Sequence, residues 1–149
     1  MTQQPQGPGA AQYQIICGAV AVAPLVYMGV VAALKFGGTL PEEGLAGMPP
    51  ESAMPLTIAL LATGTLSSLA SIVLKKILVK SQPDDAPASR FKGVLVSMAV
   101  SESGAVMGLV LMLLTGNLLF GSLLCGLSFA VTCFHFPSRF WLEHGDRPL

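Results

Sequence analysis

The chain has 149 residues, 52% of them hydrophobic and only 11% charged, with a mean hydropathy of +0.68. An ordinary soluble domain carries about 25% charged residues, so the composition excludes one and points to a membrane protein. Formal net charge is zero, which leaves neither a basic surface for nucleic acid nor a polybasic anchor for anionic lipid. Nucleic acid is therefore not an expected partner.

Four apolar runs, each near the ~20 residues that cross a bilayer as helix, divide the chain. Residues 1–12, MTQQPQGPGAAQ, form a flexible tail without the basic start of a secretory signal. The run that follows is too long for a signal core and reads as a retained span. This first span, 13–36, contains Pro24, which removes a backbone donor and predicts a kink where Gly18 and Gly29 let a neighbour come close. The loop 37–53 is acidic, rich in Gly and Pro, free of Lys and Arg, and holds no recognisable ligand cluster.

The second span, 54–78, is dominated around residues 62–71 by small and hydroxyl side chains, which allow close helix contact and interhelical hydrogen bonds. The connector 81–89, SQPDDAPAS, has Pro83 and Pro87 as breakers. A third span, 92–115, stops at a tight turn of Gly116 and Asn117. The fourth, 118–136, is broken by Pro137 and followed by Phe140 and Trp141, which suit a membrane interface. A polar tail, 143–149, ends the chain, and residues 13–142 make one membrane domain. Cys17, Cys125 and Cys133 all fall inside apolar runs, where a thiol packs as a hydrophobe, and no disulfide framework is implied.

Basic residues set the orientation. Lys75, Lys76, Lys80, Arg90 and Lys92 flank the second loop, and Arg139 and Arg147 follow the fourth span, against Lys35 alone on the other side. The expected fold is an all-α, integral membrane four-helix bundle in the inner or plasma membrane, with its N- and C-termini cytoplasmic.

Seven of the eight acidic residues lie in loops or at the C-terminus; the eighth, Glu102, sits inside the third span. Ten positions from Lys92 at about 1.5 Å of rise carry it roughly 15 Å in, near the midplane of a ~30 Å hydrocarbon core. A charged carboxylate there costs about 2.5–3.5 kcal/mol on insertion scales, and such residues mark ion and proton paths by default. The bland reading is that Glu102 hydrogen-bonds a neighbouring helix, for about 0.6 to 2 kcal/mol. Ser97, Ser101, Gly104 and Gly108 form a small-residue packing stripe on the opposite side of the same helix. If the stripe docks on the second span near Gly64, Glu102 points toward the first or fourth span, a second subunit, or lipid. If Glu102 docks there instead, Thr65 and Ser68 stand near its level as partners. The sequence leaves both arrangements open.

The stretch Ala99-Val-Ser-Glu102-Ser-Gly-Ala-Val-Met-Gly108-Leu-Val-Leu-Met-Leu-Leu resembles the ion-binding helix of the proteolipid (c) subunit of rotary ATP synthases and V-type ATPases. There a small-residue stretch leads into an essential acid, followed by a Gly-Leu step and aliphatics. The resemblance covers about twenty residues and lacks the alternate-glycine pattern of that family's inner helix, because Leu66 interrupts the series in the second span. It implies that Glu102 binds a proton, or Na⁺, with Ser101 and Ser103 able to contribute ligands, in an ion-translocating homo-oligomer or larger membrane complex. The rival expectation is a non-transporting accessory subunit that docks on a larger complex with Glu102 as interhelical glue.

No cofactor or metal is expected. Cys125, Cys133 and His135 have no recognised ligand spacing, and His135 is expected near the cytoplasmic interface. The seven methionines are dispersed as core packing would have them. There is no Walker loop, nucleophile elbow or paired-carboxylate arrangement, so an enzyme is not expected.

Overall fold

The computed structural model describes residues 10–80 and 87–137. Its regular elements are four α-helices: α1 (Ala10–Phe36), α2 (Pro50–Lys80), α3 (Pro87–Thr115) and α4 (Leu118–His135). Each is long and apolar enough to cross a membrane, and the chain is an all-α, multi-pass protein. Residues 1–9 of the expected tail lie outside the described residues. So do 81–86 with Pro83, and 138–149 with Arg139, Phe140, Trp141 and His144.

The helices run past the expected spans at their starts. α1 begins at Ala10 rather than residue 13, and α2 and α3 each begin on a proline, at Pro50 and Pro87. Proline fits a first helical position because its missing N–H would be unsatisfied there anyway. Pro87 therefore opens α3 instead of breaking the connector. Pro24 lies buried within α1, where its ring leaves the Val20 carbonyl without the usual helical donor.

α3 is the central helix and touches all three others, whereas α1 packs on α3 and α4 and, among the described residues, its backbone does not come close to α2. Lipid tails give helices little hydrophobic reason to associate, so close approach of small residues does the work. A Cβ on Gly104 would strike the Ser68 hydroxyl and lie 2.8 Å from the Gly64 carbonyl oxygen of α2. A Cβ on Gly108 would lie 2.7 Å from the Gly121 carbonyl oxygen of α4.

α1 is laid on by apolar contacts. Tyr13, Cys17 and Ala21 pack with Phe91, Val94 and Met98 of α3, and the Tyr13 and Phe91 rings stack 4.1 Å apart. Further along, Val31 and Leu40 join Ala105, Met112 and Cys125.

The far end is closed by main chain. Gly116, at φ 67°, ends α3 with its N–H on the Met112 carbonyl at 3.0 Å. The loop after α1 supplies the next donors: Leu45 N–H to Leu113 O at 2.8 Å and Ala46 N–H to Leu114 O at 3.3 Å. These are carbonyls that a helix end would otherwise leave unpaired. Asn117 then caps α4, its Oδ1 accepting the Phe120 N–H at 3.2 Å.

Candidate functional site

Glu102 stands half-buried on α3 and faces α1, where the Tyr27 hydroxyl donates to its Oε1 at 2.8 Å. The reason is helical geometry: successive residues are turned by about 100°, so when Ser101 faces the seam between α2 and α4, Glu102 is turned out of it. Of the two arrangements left open by the sequence, the stripe docks and the acid points away. The named second-span partners are therefore corrected. Ser68 is fully buried and donates to the Ser101 carbonyl at 3.4 Å. Thr65 lines a shallow outward hollow with Ile58, Leu61 and Leu66.

Ser101 and Ser103 do not gather round the carboxylate. Ser101 is the hub of a buried hydroxyl cluster: its Oγ donates to Ser128 O at 3.3 Å and accepts from Thr132 Oγ1 at 3.3 Å. Its carbonyl accepts Ser128 Oγ at 2.6 Å besides Ser68 Oγ. Ser103 Oγ donates to its own helix at Val100 O, 2.7 Å. Ser97 likewise donates within α3, to Gly93 O at 3.0 Å and Val94 O at 2.8 Å.

The hydroxyl cluster continues to His135, which is fully buried against α2. Ser71 Oγ donates to Ser68 O at 2.6 Å, so its oxygen is left to accept from His135 Nε2 at 3.2 Å. That assigns the ring proton to Nε2, while Nδ1 has no hydrogen-bond partner among the described residues. Lys75 Nζ donates to the His135 carbonyl at 3.4 Å and so counters the C-terminal end of α4.

Cys17 and Cys125 are buried, Cys133 is exposed, and all three are free thiols. Among the described residues no three His, Cys, Asp or Glu side chains come together as a metal ion would need. The residue that sequence reasoning missed is Tyr27. Its signal was its depth, because tyrosine favours the membrane interface and Tyr27 lies well inside the first span. No protein-family model, curated protein or solved structure matches the chain.

Proposed function

We propose that this protein is a proteolipid-like, multi-pass membrane subunit that binds a proton at Glu102 within an ion-translocating oligomer or larger membrane complex. The observation that carries this reading is the hydrogen bond between Tyr27 and Glu102 at mid-span. It gives the carboxyl a fixed donor on one oxygen and leaves the other available for a proton. The same geometry favours a proton over Na⁺. A hard metal cation wants a cage of oxygens, yet Ser101 is committed to α4 and Ser103 to its own helix.

A second reading rests on the same bond, which also ties α1 to α3. In it the chain is a non-transporting accessory subunit, and the Tyr27–Glu102 pair holds the first helix in place. The test is Glu102→Gln in the native membrane, followed by proton flux and by recovery of the intact assembly. Under the proton-binding reading assembly survives and flux stops. Flux that continues at the wild-type rate sinks that reading in favour of the accessory one.

A further inference from the structure

At the Gly116 end of the bundle, remote from Glu102, a cleft of about 390 Å³ opens between the first loop and the ends of three helices. Glu43 and Met48 line it from the loop, Met54 and Thr57 from α2, and Asn117 and Phe120 from the start of α4. Its size falls within the range of small-molecule sites. The loop wall is held in place by the Leu45 and Ala46 hydrogen bonds to the α3 terminus.

The polar groups of this wall are already partly spent, and its one formal charge is negative. Thr57 donates its hydroxyl proton to Ala53 O at 2.8 Å. Thr115, which also lines the cleft, donates to Leu111 O at 2.7 Å and accepts the Asn117 N–H at 3.3 Å. Asn117 Oδ1 is taken by the Phe120 N–H, leaving its amide NH₂ as the side-chain donor of the wall. Among the described residues no Lys or Arg lines the cleft, and none occurs in residues 37–49; Lys35 sits outside the lining on the Gly116 carbonyl, so Glu43 carries the formal charge of the wall. The Phe120 ring and the thioethers of Met48 and Met54 line the same cleft.

Such a wall repels anions and offers a hard metal ion one carboxylate where several oxygens are needed. A large, weakly hydrated organic cation is served by each part of it: charge by Glu43, an aromatic ring by Phe120, and polarisable sulfur by Met48 and Met54. We infer that this cleft binds a quaternary ammonium group, presented either by a free choline-like solute or by a lipid headgroup.

The experiment titrates choline into the full chain in phosphatidylglycerol nanodiscs, with heat of binding as the readout, beside the uncharged isostere 3,3-dimethylbutanol. Saturable choline binding is expected, with the isostere weaker by about fivefold or more. Glu43→Gln lowers choline affinity by about threefold or more, Phe120→Leu lowers it similarly, and Glu42→Gln, outside the cleft, leaves it unchanged. Glu43 and Phe120 are exposed, so neither substitution removes core packing. Absent saturation, equal binding of the isostere, or an undiminished affinity in Glu43→Gln overturns the assignment. Replacing part of the lipid with phosphatidylcholine distinguishes the sources. A fall in apparent choline affinity identifies the headgroup as the occupant, and an unchanged affinity identifies the free solute.

Discussion

The Tyr27 hydroxyl and the Glu102 carboxylate meet at 2.8 Å across the α1–α3 interface, between two weaker ties at the ends of α1. Those are Gln14 Nε2 to Pro137 O at 3.5 Å and Lys35 Nζ to Gly116 O at 3.4 Å. Because the α1 backbone closely approaches only α3 and α4 among the described helices, the central bond matters more to the seating of α1 than one bond would in a fully enclosed helix. Tyr27→Phe should therefore cost about 0.6 to 2 kcal/mol of unfolding free energy in mixed micelles, and under the proton-binding reading it leaves the carboxyl itself in place. Glu102→Asp should cost a similar amount, since losing one methylene breaks the contact. Infrared difference spectra assign the carboxyl: the Glu102 C=O band persists in Tyr27→Phe and is lost in Glu102→Gln.

Close helix approach at Gly104 makes a second prediction. An alanine there places its Cβ against the Ser68 hydroxyl and 2.8 Å from the Gly64 carbonyl oxygen, and such overpacking typically costs about 1–3 kcal/mol. Adding Ser68→Ala should recover only part of the loss, because the backbone contact remains. Gly29→Ala is the control. Nothing lies within 4 Å of a Cβ at that position, so its unfolding midpoint should match or slightly exceed that of the parent.

The four helices were legible because apolar runs of spanning length have few other uses, and the Gly116–Asn117 turn was legible because a stop between two such runs needs a residue tolerant of positive φ. Helix starts were harder to read: Pro50 and Pro87 carry the same residue type as a breaker, and only the chain on either side decides that they sit at first positions. The direction of Glu102 was not legible at all. Its stripe and its carboxylate both had a credible claim on α2, and the choice depends on how Gly64, Gly104, Gly108 and Gly121 pack three helices together. Ser101 shows the same limit. Its neighbourhood in sequence joins it to Glu102, but its neighbourhood in space is Ser128 and Thr132.

That separation yields a third prediction. Ser101→Ala strips the Thr132 hydroxyl of its buried acceptor and the Ser128 carbonyl of a second, side-chain donor, and leaving a buried hydroxyl unsatisfied costs about 1–3 kcal/mol. Under the proton-binding reading, proton uptake by Glu102 should be unaffected, since Ser101 faces the α2–α4 seam and not the carboxylate. Ser103→Ala should change neither property, because among the described residues its hydroxyl bonds only to Val100 within the same helix. If Ser101→Ala instead altered the carboxyl titration while sparing stability, Ser101 would be acting as a ligand and its placement at the α2–α4 seam would be wrong.

Gly116 carries the last prediction, because two turns interlock there. Its φ is 67°, and a Cβ would strike the Glu42 carbonyl oxygen and lie 2.9 Å from the Gly44 nitrogen. Gly47 also has positive φ, at 52°, but open space around it. Gly47→Ala therefore meets only the left-handed backbone cost of about 1–2 kcal/mol, whereas Gly116→Ala adds a clash that pushes the first loop off the end of α3. The Leu45 and Ala46 amides, which donate to Leu113 and Leu114, should then exchange with deuterium at least tenfold faster in Gly116→Ala, a factor that corresponds to about 1.4 kcal/mol of local opening free energy. Amides in the middle of α3 should keep their parent rates. Uniform acceleration along the whole helix would mean that the loop is part of the cooperative fold and not a cap resting on it.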